Sequence, residues 1–214
     1  MQATGGLFDD AGATRIADGA WLLRGFALER EVALLAAVDV VVAQAPFRHM
    51  ETRRGLRMSV AMTNCGEAGW VSDRRGYRYA PVDPLDDAPW PAMPAAFASL
   101  AQDAAHAAGY AGFMPDACLV NRYVPGTRLS LHQDRDERDF EAPIVSVSLG
   151  LSATFLFGGP ARTDRTRRVP LQHGDVVVWG GASRLFHHGV LPLADGNHPL
   201  LGARRINLTF RKAL

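Results

Sequence analysis

From Pro143 to Ala161 the chain carries no charged residue, a run long enough at first sight to cross a membrane. Within it, however, Val145, Val147, Leu149 and Leu151 alternate with Ser146, Ser148, Gly150 and Ser152. A period of two means a strand with one greasy and one polar face, so the segment belongs to a sheet. Its neighbours repeat the texture: ACLVNRY, LSLHQD, ATFLFGG, RVPLQHGDVVVWGG, LFHHGVLPL and RRINLTFR are short apolar or alternating runs between turn residues. So many short strands after Pro115 predict a β-sandwich or jelly-roll barrel.

Upstream the period changes. Leu28 to Gln44 and Pro94 to Ala108 place apolar residues at helical spacing, closed by Pro46 and Gly109 respectively, and both helices are expected to pack on the sheet. RMSVAMTNCG, GWVSDRRGYRY and PVDPLDDAPWPAMP, between them, predict short strands and recognition loops. At 214 residues the chain predicts one α+β domain: an N-terminal extension and helix to about residue 45, a strand-and-loop region over 46–93, a supporting helix over 94–114 and a jelly-roll core over 115–214.

With 48% hydrophobic and 21% charged residues, disorder is excluded. A net charge of +1 argues against binding a polyanion over the whole surface, so any such contact is local. Lys212 is the only lysine; the cations are arginines, and Arg48, Arg53, Arg54, Arg57, Arg74, Arg75 and Arg78 crowd one stretch that holds only Glu51, Glu67 and Asp73 as acids. Cys65 and Cys118 form no metal or disulfide motif, and the N-terminus lacks a basic start with an apolar run. A reducing, cytoplasmic setting without a membrane is the expectation.

Chemistry concentrates in LSLHQD. His132 and Asp134 are two apart and share a strand face. A histidine from SRLFHHGV would complete the two-His, one-carboxylate set that holds non-haem Fe(II) and leaves three coordination positions open. His187 and His188 must face opposite ways in a strand, and periodicity does not choose between them; His173 in QHGD is a weaker third candidate. In RRINLTFR, Arg205, Asn207, Thr209 and Arg211 share one face and Ile206, Leu208 and Phe210 the other. Arginines on an inner face demand an anion, whereas on an edge strand they would lie in water. Asn121 and Tyr123 of NRY have the same even spacing and can offer an amide and a phenol to that anion.

Together with APFRHM, MSVAMTNCG, GYRYAPVDP, PWPAMP, PDACLVNRY, APIVSVSLGL and HGDVVVWGG, these segments resemble, in order and over most of the chain, the Fe(II)- and 2-oxoglutarate-dependent dioxygenases of the AlkB family. The resemblance implies a double-stranded β-helix with N-terminal helices, and makes the region over 46–93 a nucleotide-recognition lid. It implies iron on His132, Asp134 and His188, with 2-oxoglutarate and O2 as co-substrates. Asn121, Arg122, Tyr123, Arg205, Asn207 and Arg211 then fall to 2-oxoglutarate. Trp70, Tyr77, Arg78, Tyr79, Asp136 and Arg162 fall to the substrate, alkylated single-stranded DNA or RNA bound by a monomer. A methylated base such as 1-methyladenine or 3-methylcytosine is cationic, so Trp70 can stack on it and Asp136 can complement it. Implied too is removal of the methyl group as formaldehyde while 2-oxoglutarate and O2 become succinate and CO2.

Arg135 stands where the family has Lys or Arg, His187 where it often has an aromatic residue, and the residues through about Ala11 have no counterpart. Thr163 to Arg168 is either a phosphate-gripping insert or a hairpin loop in water. Two rival functions remain, a dioxygenase with another substrate and a non-catalytic jelly-roll module that binds nucleic acid.

Overall fold

A computed structural model describes residues 12–214; the stretch through Ala11 lies outside them. The described residues open with a hairpin, β1 (Ala13–Ala17) and β2 (Ala20–Leu23), closed by Asp18 and Gly19, the glycine at φ 70°. A 3-10 turn over Leu28–Arg30 leads into α1 (Glu31–Gln44). Pro46 ends that helix, because the residue before a proline is pushed out of the helical region, and Ala45 is extended at φ −128°, ψ 92°.

There follow β3 (Ala61–Gly66), β4 (Gly69–Asp73), β5 (Gly76–Ala80) and α2 (Ala95–Ala107). Gly109, at φ 89°, stops α2: its N–H bonds to His106 O and that of Tyr110 to Ala105 O, at 3.0 and 2.8 Å, satisfying the last carbonyls. The remainder is strand: β6 (Ala117–Tyr123), β7 (Leu129–His132), β8 (Ile144–Gly150), β9 (Ala153–Phe157), β10 (Arg167–Leu171), β11 (Val176–Trp179), β12 (His188–Val190) and β13 (Arg205–Arg211).

Among the described residues these strands form a seven-stranded sheet, β1-β2-β11-β8-β13-β6-β3, a four-stranded sheet, β10-β9-β12-β7, and the β4-β5 hairpin. All named pairings are antiparallel, the jelly-roll arrangement. Period-two alternation divides the interior in two. Cys118, Val120, Val145, Val147, Leu149, Ile206, Leu208 and Phe210 pack with Leu34, Val38, Phe97 and Leu100 of the helices. Leu119, Tyr123, Ile144, Phe155, Phe157, Val177 and Trp179 fill the space between the sheets.

β13 is therefore central, not an edge, and all seven of its residues are buried. β1 and β2, in the segment expected as an N-terminal extension, pair into the large sheet through β11, and β3, in the segment expected as a lid, is its other edge. Each of these strands buries apolar residues in the sheet. No helix among the described residues is long and apolar enough to cross a membrane.

Phe210 meets Phe97 edge-on at 5.8 Å and is fully buried. Phe210→Ala is expected to cost about 3–5 kcal/mol in urea unfolding, the usual toll for emptying an aromatic core site. Val32→Ala, on the exposed side of α1, should stay within about 0.5 kcal/mol.

Candidate active site

β7 and β12 are neighbours in the small sheet, with His132 and His188 direct cross-strand partners, so their rings share a face with centroids 4.4 Å apart. Asp134, just past β7, brings Oδ1 to 3.5 Å from His132 Nε2 and 3.7 Å from His188 Nε2. One ligand atom from each of the three lies within 4.8 Å of the others. Both histidines turn Nδ1 to a backbone carbonyl two residues back, Ser130 O at 2.8 Å and Phe186 O at 3.0 Å. A carbonyl only accepts, so Nδ1 carries the proton and Nε2 offers its lone pair. Burial, and then His132, holds His188 down to about 3, keeping it in the neutral form a metal needs.

The neighbouring histidines point elsewhere. His187 faces Gly159 O, while His173 bonds Glu31 at 2.6 Å, takes the Gly150 N–H and stacks on His198.

The second oxygen of Asp134, Oδ2, accepts from Arg211 Nε and Nη2 at 2.9 and 2.6 Å, leaving Oδ1 to the imidazoles. Burial pushes the Asp134 carboxyl up, but Arg211 and then the two histidines outweigh it and hold it below the usual carboxylate range. Two residues given no role in the sequence reading complete this knot. Glu137 lies 3.2 Å from Arg211 Nε and 3.3 Å from Arg184 Nη2, and Arg184 Nη1 donates to the Asp134 carbonyl at 2.9 Å. Their only signal was position, three residues after Asp134 and four before His188. A charge in a strand-end loop is ordinarily solvated.

Behind the triad, the polar face of β13 meets β6 and β8. Asn121 Nδ2 donates to Asn207 Oδ1 at 3.2 Å, Asn207 Nδ2 to Ser146 Oγ at 2.8 Å, and Arg205 Nη2 to Ser148 Oγ at 2.8 Å. Arg205 sits 4.9 Å over the Tyr123 ring. Among the described residues its Nε and Nη1, the Tyr123 hydroxyl and Asn121 Oδ1 are buried without hydrogen-bond partners. Burial draws Arg205 below its ordinary value, with Tyr123 opposing, the mark of a buried cation lacking a counter-ion. A carboxylate fits such a pocket. Alternation turns Arg122 to the other face, where it lies 4.7 Å over Phe47, so it does not join the group.

The β4-β5 hairpin presents Trp70 stacked on Tyr77 at 5.6 Å and 12°. Trp70 Nε1 donates to Asp136 Oδ2 at 2.8 Å and Tyr79 OH to Glu137 Oε1 at 2.9 Å. Arg162 Nη1 donates to Leu131 O at 2.7 Å, beside His132. Arg78 does not join these residues. It lies on the hairpin's other face, bound to Asp73 at 2.8 Å, and with Arg75 holds that carboxyl below its usual range.

Residues 19–211 match the 2OG-Fe(II) oxygenase superfamily. The alpha-ketoglutarate-dependent dioxygenase AlkB of Salmonella typhimurium is 60% identical over 198 residues, 92% of either chain. DNA N(6)-methyladenine demethylase ALKBH1D of Arabidopsis thaliana is 43% identical over 108 residues, 45% of this chain and 24% of that one. The solved structure of OsALKBH1 superposes with a TM-score of 0.81 at 30% identity, covering 94% of this chain and 99% of that chain.

Because Glu137 is the shared counter-charge of Arg184 and Arg211, Glu137→Ala should leave two buried cations facing each other. The expected loss is about 3–5 kcal/mol in urea unfolding of the metal-free protein. A loss near zero would show that water replaces the carboxylate there.

Proposed function

Since the chain belongs to the 2OG-Fe(II) oxygenase superfamily, and within it to the AlkB dioxygenases, we propose that it removes alkyl groups from N-alkylated bases of single-stranded DNA or RNA, 1-methyladenine and 3-methylcytosine above all. It is a 2-oxoglutarate-dependent dioxygenase. The observation that carries the reading is the buried, half-unpaired Arg205 behind a His-Asp-His cluster, a pocket that asks for a metal and a carboxylate together.

His132, Asp134 and His188 would hold Fe(II), whose chemistry when bound is the activation of O2 with 2-oxoglutarate as electron donor. Overall, an N-methyl base, 2-oxoglutarate and O2 give the unmodified base, formaldehyde, succinate and CO2. The chain's residues fix the geometry. Arg211 clamps one Asp134 oxygen so that the other faces the metal position. Arg205, with Tyr123 and Asn121 beside it, takes a carboxylate of 2-oxoglutarate through a charge-assisted fork.

Trp70 offers an aromatic face to the cationic base, oriented by its indole bond to Asp136, whose carboxylate complements the charge. Packing of His188 against Trp179 and Phe155 keeps water from its side of the site. The reading takes the protein as a cytoplasmic monomer, in keeping with two free cysteines, Cys65 and Cys118.

Aerobic incubation of a 1-methyladenine oligonucleotide with enzyme, Fe(II) and 2-oxoglutarate should release formaldehyde in step with repaired base. His188→Ala should abolish both this release and stoichiometric Co(II) binding. Formaldehyde no higher than the blank, with 2-oxoglutarate turnover stimulated only by some other compound, would favour the rival dioxygenase. Oligonucleotide binding without metal binding would favour the module.

Arg205→Ala is expected to raise the KM for 2-oxoglutarate at least about 30-fold, as truncating one side of a buried charge pair does. The KM for oligonucleotide should move less than about threefold, because the contacts of Arg205, with Ser148 and Tyr123, are separate from those of Trp70, with Tyr77 and Asp136. Equal effects on the two constants would contradict this assignment.

A further inference from the structure

We propose that the loop between β9 and β10 and the start of β10, through Arg165 and Arg168, form a second contact surface for the polynucleotide, gripping the phosphodiester backbone as the strand leaves the reacting base. The inference rests on the reading of the site as an alkylated-nucleic-acid dioxygenase and adds to it a surface that the reaction itself does not require.

The loop begins at the mouth of the site. Phe157, the last residue of β9, is the cross-strand partner of His188. Gly158 N donates to His187 O at 2.8 Å and His187 N to Gly159 O at 2.9 Å, pinning the first loop residues to the strand that carries a candidate ligand. Arg162 ties the tip back to Leu131, next to His132. The chain then turns back, so that Arg167 and Arg168, the first residues of β10, pair with Phe157 and Leu156, and Arg165, Thr166, Arg167 and Arg168 line a groove of about 510 Å³.

Charge is one-sided there. Residues 162–168 hold four arginines and one acid, in a protein whose net charge is only +1. That acid, Asp164, is turned into its own loop, where its carboxylate accepts the Ala161 N–H at 2.8 Å. Arg167 donates to the Ile16 carbonyl at 3.1 Å. Among the described residues none of Arg162, Arg165, Arg167 and Arg168 is in an ion pair, although ten arginine or lysine pairs form elsewhere.

Unneutralised guanidinium groups so close in sequence repel one another, a cost that a polyanion removes. Their planar forks suit phosphate oxygens, whereas lysine would offer only point charges. A base delivered to the triad brings its own strand to the mouth, and this loop is anchored there. Such contacts carry no sequence preference and act only on substrates long enough to reach them.

The test compares a 1-methyladenine trinucleotide with a fifteen-nucleotide single strand bearing the same lesion, using the parent and the Arg165→Gln, Arg168→Gln double variant. Turnover of the trinucleotide should be unchanged. For the longer strand, kcat/KM should fall about tenfold, and the slope of log affinity against log salt should become shallower by about 1.4, two released phosphate contacts at about 0.7 each. Parallel behaviour of both proteins on the long strand would overturn the proposal, as would an equal loss on the trinucleotide. Anisotropy with an unmodified fifteen-mer reads the loop without catalysis. Were the parent inactive on both lesions, the demethylase reading would fall, while a parent-to-variant difference in that binding would still support the loop.

Discussion

Two arginines face inward from the central strand of the large sheet, and a buried guanidinium must meet an anion or cost the fold several kcal/mol. Arg211 meets Asp134 and Glu137. Among the described residues Arg205 meets only the Ser148 hydroxyl and the face of Tyr123. The folded chain therefore retains one unsatisfied demand for negative charge, and the demand is local. The strand cannot shed it by slipping one residue. That register would bring Ile206, Leu208 and Phe210 to the polar cleft and push both arginines into the core under the helices. The alternation that builds the core also fixes the pocket.

The candidate ligands inherit their precision from the same ladder. His132 and His188 come from chain segments far apart, yet as register partners on adjacent strands they have little freedom beyond their side-chain torsions. Those torsions are set by backbone carbonyls at both Nδ1 atoms. Apolar packing does the rest for His188, where Trp179 at 4.9 Å and Phe155 at 5.9 Å exclude the water that would stabilise an imidazolium.

Much of this was legible in the sequence because strands write their faces in alternate residues. The polar face of β13, the even spacing of Asn121 and Tyr123, and the shared face of His132 and Asp134 could all be read before any contact was known. Arg122 and Arg78 follow the same rule: each sits between residues of the cluster, so each points away from it. The choice of His188 over His187 needed the resemblance, since an adjacent pair satisfies periodicity either way. β1 and β2 were missed although Asp18-Gly19 is a hairpin signal, because the flanking strands are too short to announce a face. Glu137 and Arg184 lay beyond reach for another reason. Burial of a charge is a property of what covers it, and their cover comes from Tyr79 of β5 and Arg211 of β13 for Glu137, from Phe140 and Ala142 for Arg184, and from each other.

The cover also explains how substrate contacts can change without loosening the metal position. The β4-β5 hairpin reaches the segment after β7 at two successive residues, Trp70 at Asp136 and Tyr79 at Glu137. Asp134, two residues earlier, is held by other groups, its carbonyl by Arg184 and its carboxylate by Arg211. Asp136 is exposed and its bond to Trp70 is a single contact at the rim, whereas Glu137 is buried between two arginines. A base that exchanges contacts with Trp70 and Asp136 thus disturbs the weakest link of the set, and the ion pairs behind it keep the Asp134 carboxylate where the imidazoles need it.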